Sequence, residues 1–268
     1  KNCEFAPEHI TEIVKTYTDL KAIERTSDDS IASKVFDNSD FGYHKVTIER
    51  PKRLKAQFTK ERIEDLRYDK SLKEARMHAY ATYGDAVYDD IKIYEKPLLE
   101  WTEKHELNLN AKQSKTLVTP AVWEKQHNLL MIGFLLHSQI GETVYTDFNV
   151  FAEKVDAVIK EQKIKLSASE KNAILNAVSW YDAESEKVIK STIKLTGEKL
   201  QKVLKHLDCN ESELADYGYF PTDKKGEYHT YETESDLRDT ENVPLKENIH
   251  TYFLREVKPH VAEAWINL

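Results

Sequence analysis

The one local concentration of positive charge comprises Lys45, Arg50, Lys52, Arg53, Lys55, Lys60 and Arg62, opposed only by Glu49 and Glu61, with Tyr43 and His44 beside it. Clustered Lys and Arg suit phosphate-backbone oxygens, a contact that positions nucleic acid without reading its sequence. The competing reading is a solvated hairpin edge, where Lys and Arg block edge-to-edge association. A second polar string, Asp236 to Leu245 (DLRDTENVPL), follows neither helix nor strand periodicity. Pro244 excludes a helix through its own position and pushes Val243 toward an extended backbone, so the segment reads as an extended, solvated loop. Within it, Arg238 lies between Asp236 and Asp239 and can bond both, while Asn242 can bond neighbouring backbone in an Asx-type turn.

Catalytic constellations are not found. His105-Glu106 lacks the second histidine of a zinc-binding helix pair. His127 and His137 share one apolar helix but are out of alignment for joint metal ligation, and read as core or rim histidines. Asp89 and Asp90 are adjacent, diverge by about 100° on a helix and cannot act as a pair. Ser138 and Ser167 lack a nucleophile-elbow context. Cys3 and Cys209 have no metal-ligand spacing and read as two reduced thiols of a cytoplasmic protein.

The 268 residues suffice for one large domain or two small ones. Gly and Pro are scarce and charged residues abundant, which favours helices over a sandwich or barrel. With 39 basic against 47 acidic residues the net charge is −8. That argues against wrapping nucleic acid as the main task, though not against a local basic patch. The longest apolar run, Leu129 to Leu136, contains Gly133 and falls short of the ~20 residues a bilayer span needs. No membrane partner and no signal peptide are expected. The chain begins at Lys1, without methionine, directly ahead of a helix, as a fragment of a longer protein would.

Periodicity predicts an amphipathic helix from Pro7 to about Ala22 and a polar linker, Glu24 to Ser30. Val35-Phe36, the turn formers Asp37 to Asp40 and the alternating Tyr43 to Glu49 read as a β-hairpin that Pro51 stops. Helices are predicted after Thr59, near Asp69–Tyr83 and over Asp85–His105 with a break or kink at Pro97. Another runs from Thr119-Pro120 to about Gln139, apolar nearly all round and expected at the centre of a bundle. Further helices start at Thr146-Asp147, at the capping box Ser167–Glu170 and at Thr196. Tyr219-Phe220-Pro221 and Glu227–Tyr231 flank a hairpin turn at Asp223–Gly226, and a last helix spans Lys246 to Val257. The expected fold class is mainly α, a helical bundle with two small β-hairpins that could pair with each other. The expected divisions are a helix-plus-hairpin connector (1–58), a helical body (59–216), and a hairpin, extended connector and C-terminal helix (217–268).

Two blocks carry a resemblance. Asp236 to Leu245, with the helix after it, is similar to the C-terminal region of the modification subunit of type I restriction–modification systems, which are adenine-N-6 DNA methyltransferases. Phe36 to Pro51 resembles the segment after the catalytic domain in that family, where F-x-N-x-D-F-G-Y precedes a short strand and an E-R-P-L-R-L-like ending. This chain has Glu49-Arg50-Pro51-Lys52-Arg53-Leu54, departing at Lys52, where the family carries an apolar residue. Both blocks occur in the family's order; residues 52–235 between them resemble nothing specific.

The resemblance implies a parent enzyme that uses S-adenosylmethionine. Its Gly-rich cofactor turn and (N/D)-P-P-(Y/F) loop lie upstream of the first block, and neither is present here. It therefore implies a non-catalytic C-terminal part with no cofactor, catalytic or metal site of its own. Its role would be to support assembly with the specificity subunit and, in the holoenzyme, the restriction subunit. Double-stranded DNA would be met through the complex, with backbone contact from Lys45, Arg50, Lys52, Arg53 and Lys55. Arg238, Asp239 and Asn242 would form an interdomain or subunit clamp. Part of a docking tail would follow Leu268. The other reading of the same residues is a helical protein–protein interaction module unrelated to DNA.

Overall fold

The computed structural model describes residues 5–27, 31–68 and 72–268. Cys3, Lys1, the end of the expected linker at Ser30 and the start of the expected helix at Asp69 lie outside them. The described helices are α1 (Pro7–Asp19), α2 (Lys60–Glu64), α3 (Lys73–Tyr83), α4 (Ala86–Asp90), α5 (Glu95–Lys104), α6 (Ala111–Leu117), α7 (Pro120–Ile140), α8 (Phe148–Glu161), α9 (Ala168–Ala177), α10 (Glu198–Leu207) and α11 (Ile249–Tyr252). The strands are β1 (Tyr43–Glu49), β2 (Leu54–Ala56), β3 (Ser179–Tyr181), β4 (Ile189–Lys194), β5 (Phe220–Pro221), β6 (Glu227–Tyr231), β7 (Asp239–Pro244) and β8 (Trp265–Asn267).

This corrects the expected fold class. The chain is mixed α and β, 53 % helical and 16 % strand, with its strands in three small antiparallel sheets rather than two hairpins on a bundle. The reason lies in the pairing partners. β1 joins β7 and β8 in the order β7-β1-β8, and β2 joins β3. Strands so distant in sequence leave no short-range signature, because alternation looks the same whichever strand lies beside it. Val35-Phe36 is not the partner of β1. Asp37 instead opens a 3₁₀ turn, Asn38–Phe41, through a reciprocal capping box with Asp40. Nor do the two expected hairpins pair with each other: β5 and β6 flank their turn as neighbours, and the third strand beside β6 is β4.

The chain folds as two compact units, each discontinuous in sequence. One comprises 51–197 and 220–234. Its first core packs Phe58, Ile63, Leu66, Leu130, Phe151 and Ile174, and its second packs Leu72, Ala79, Ile91, Leu98, Leu117 and Trp123. α7 contributes to both. It is not buried all round, because Met131 and Leu135 face solvent. Gly133 lets α7 approach closely, since a Cβ there would sit 2.9 Å from both Ile63 Cγ2 and Leu66 Cδ1. Local caps form where side chains supply them: Thr59 accepts from Arg62 N–H, Asp147 from the amides of Asn149 and Val150, and Ser167 and Glu170 accept from each other's amides. The expected long helix over Asp85–His105 is broken at a 3₁₀ turn, Ile91–Tyr94, leaving Pro97 in the first turn of α5, where no N–H is needed.

The other unit comprises 1–50, 198–219 and 235–268 as far as these are described. Its core packs Val46 and Ile48 of β1 and Val243 of β7 against Phe253, Val257, Ala264 and Ile266. Asn248 caps α11 by accepting from Thr251 N–H, and the helix widens into a π turn, Phe253–Val257. α1 buries none of its residues, and its large apolar side chains are exposed from 47 % at Ile13 to 78 % at Tyr17. No helix among the described residues is long and apolar enough to cross a membrane.

Candidate functional site

The polar string at Asp236–Leu245 is mostly strand. After a 3₁₀ turn at Ser235–Leu237, β7 runs antiparallel to β1 in a register from Tyr43 opposite Pro244 to Ile48 opposite Asp239. Leu245 N–H donates to Gly42 C=O at 3.2 Å. Bonded pairs then alternate down the ladder, so Pro244 and Thr240 turn their nitrogens to the outer edge. Pro244 has no donor to lose there, and Asp239 Oδ1 accepts from Thr240 N–H at 2.7 Å. Few free amides remain on that edge for another strand to capture.

Where β1 ends, Glu49 is only 1 % exposed. Its Oε1 accepts from Arg238 Nε at 2.9 Å and from Asn267 Nδ2 at 3.3 Å. One carboxylate thus ties together the residue before β7, the end of β1 and the end of β8. Arg238 therefore does not bridge Asp236 and Asp239 as the string suggested, because a buried carboxylate is the stronger acceptor. Asn242 makes no Asx turn; it lies in β7 opposite Lys45. Asp239 faces Ile48 in the register and caps its neighbour's amide.

A second network lies in the same unit. Asp216 accepts from His250 Nε2 at 2.9 Å and from Lys258 Nζ at 2.8 Å, and Glu213 is 3.7 Å from His250 Nδ1. Burial alone would push Asp216 up, but the bonds from Lys258 and His250 outweigh it and hold the carboxyl below its ordinary value. Lys258 Nζ also donates to Ala264 C=O at 3.2 Å, beside Trp265, which packs against Gly218. Gly218 has φ +82°, and a Cβ there would sit 2.9 Å from the indole. Tyr217 stacks on His250, and burial pushes its phenol up to about 12. Burial, then Glu213 and Asp208, raise the Cys209 thiol as well. A raised phenol and a raised thiol hold their protons at neutral pH, so neither is an activated nucleophile. This network couples the turn at 211–217 to the C-terminal helix.

The basic residues divide between the units. Lys45 is exposed on β1, and Arg50 is half-buried with its Nε lacking a hydrogen-bond partner among the described residues. In the other unit Arg53 donates to Ser185 C=O, Lys55 pairs with Asp182 at 2.8 Å and Arg62 lies 3.8 Å over the Trp180 ring. Those three stitch the β2 strand region and α2 to the segment around β3. Lys52 and Lys60 make no ion pair among the described residues. The histidines singled out in the sequence are also separated in role: His127 packs tilted against Tyr88 and His137 pairs with Glu142. Among the described residues no group of three or more His, Cys, Asp or Glu could hold a metal ion.

Sequence reasoning missed Glu49 as the partner of Arg238 and the Asp216–His250–Lys258 network altogether. The one available signal was Glu49 at a strand end, where an acidic residue in an alternating apolar run calls for a partner.

No protein-family model matches the chain, and no curated protein or solved structure matches it significantly. Fold and site together define a two-unit mixed α and β protein in which a buried carboxylate joins three strands.

Proposed function

We propose that this chain is a non-catalytic C-terminal part of a type I restriction–modification adenine methyltransferase subunit. It frames the assembly with the specificity and restriction subunits, in the cytoplasm, while S-adenosylmethionine is held elsewhere in the parent protein. One observation carries this reading. The two sequence blocks that resemble the family, separated by residues 52–235, lie side by side as β1 and β7, joined by the Glu49–Arg238 ion pair. Unrelated coincidences in two loops give no reason for the blocks to be paired strands.

The clamp role then belongs to the β1–β7 pair and Arg238, with Asp239 and Asn242 shaping the edge. The DNA role narrows by the same geometry. Arg53 and Lys55 are engaged within their own unit, which leaves Lys45, Arg50 and Lys52 as the phosphate-contact candidates. Two measurements test the reading. Calorimetry of this chain with S-adenosylmethionine should give no heat of binding; a clear binding isotherm overturns it. The reading frame upstream of Lys1 should encode the Gly-rich turn and the Pro-Pro loop; a frame starting at Lys1 also overturns it.

A second reading, a protein-interaction module unrelated to DNA, is favoured by α1. Its apolar stripe of Ile10, Ile13, Val14, Tyr17 and Leu20 is exposed and borders a groove of about 340 Å³ that includes Val35 and Phe36. Fluorescence anisotropy with duplex DNA separates the two. Weak binding that falls steeply with salt favours the methyltransferase part, and no binding at low salt favours the module.

A further inference from the structure

Three rings form a column between α3 and α5. His78 of α3 lies on one face of Trp101, 4.0 Å between centroids and 6° from parallel; His105, at the end of α5, lies on a ring face of Trp101 at 4.1 Å and 23°. Both imidazoles therefore stack on the one indole. His105 Nδ1 is 2.9 Å from Trp101 C=O. A carbonyl only accepts, so Nδ1 carries hydrogen and Nε2 is where a neutral His105 takes a proton.

We propose that this column is a proton-sensitive clasp between α3 and α5, closed when one imidazole is charged and opened when both are. The first proton places a cation over tryptophan, the best of the aromatic faces for that contact. The second places another cation on the same indole, and the two charges then stand within roughly 8 Å, the sum of the two ring spacings. At that distance a charge on His105 disfavours one on His78 across a partly desolvated indole. The separation also stays within one Debye length at about 0.15 M salt, so screening is incomplete.

No carboxylate offsets the repulsion. Burial first, and then His105, disfavour a charge on His78. Among the described residues, Glu74 one turn earlier on α3, and Glu103, Lys104 and Glu106 around His105, bond neither imidazole. What opens is the end of α5, where His105 N–H donates to Trp101 C=O and Leu107 N–H to Thr102 C=O.

The test is an NMR titration of both imidazoles in the whole chain between pH 4.5 and 8.5, with amide exchange at His105 and Leu107, corrected for intrinsic rates. In His105→Gln, His78 should bind its proton more tightly than in the parent. Exchange at Leu107 should accelerate at the acid end in the parent. It should not accelerate in His105→Phe, which keeps a stacked ring without a charge. An unchanged His78 titration in His105→Gln overturns the clasp, and so does equal acid opening in His105→Phe.

Discussion

Removing the Arg238 guanidinium should expose the worth of the buried carboxylate it holds. Arg238→Ala leaves Glu49, 1 % exposed, with Asn267 as its remaining described partner at 3.3 Å. Breaking a fully buried ion pair costs about 3–5 kcal/mol, because the surviving charge stays desolvated and unpaired. Here the Arg238 side chain is 48 % exposed, so water can reach part of the gap and the expected loss is about 2 kcal/mol. Glu49→Gln behaves differently. Its amide oxygen still accepts from Arg238 and no buried charge remains, so it should cost under about 1 kcal/mol. The double variant should recover most of the Arg238→Ala loss, a coupling of about 1.5 kcal/mol. A chain of two units need not unfold in one step, so the readout is urea-dependent amide exchange of Val46, Ile48 and Val243. If the double variant is as unstable as the two single losses summed, Glu49 is not the group Arg238 serves, and the reasoning fails.

Three further outcomes follow from the packing and the charges. Gly133→Ala should destabilise the α7 unit by about 1–2 kcal/mol by chemical denaturation, because overpacking against Ile63 and Leu66 exceeds the helix-propensity gain of about 1 kcal/mol; a stabilised variant would contradict the close approach. Asp216 is held below its ordinary value in the fold, so its stabilising effect is present above the unfolded value near 3.9 and is lost as pH falls through the lower folded one. Acid unfolding of its unit below about pH 4 should therefore be shallower in Asp216→Asn, and equal slopes would refute the assignment. Val14→Asp on α1 should change stability by under about 0.5 kcal/mol in the same denaturation assay, since no residue of that helix is buried; a large loss would show that α1 packs on its own unit.

How much was legible depends on the range of each interaction. The capping box at Ser167–Glu170, the Thr59 cap, the proline at the start of α7 and the amphipathic stripe of α1 are settled by residues within one or two turns, and the folded chain carries them as read. The break ahead of α5 was placed at Pro97 and lies at Ile91–Tyr94, because a proline in a first turn does not interrupt a helix. The hairpin at Phe36–Pro51 failed for another reason. Its alternating half is a strand, but alternation carries no information on which strand will lie beside it, and β7 and β8 provide better apolar partners than Val35-Phe36. Arg238 likewise had two acidic neighbours in sequence and went to neither, because Glu49 is the carboxylate that loses water on folding.

By itself, then, the sequence determined where α1, α2, α7, α8 and α9 begin, that the familiar motifs of catalysis are missing, and which two blocks resemble a family. Only the tertiary structure decided that those blocks are neighbouring strands, that their polar anchor is an ion pair on a buried carboxylate, and that Arg53, Lys55 and Arg62 are engaged within their own unit. The physical reason is common to all three. Local propensity acts over a few residues, whereas strand pairing and the desolvation of a charge depend on groups that meet only when distant parts of the chain fold together.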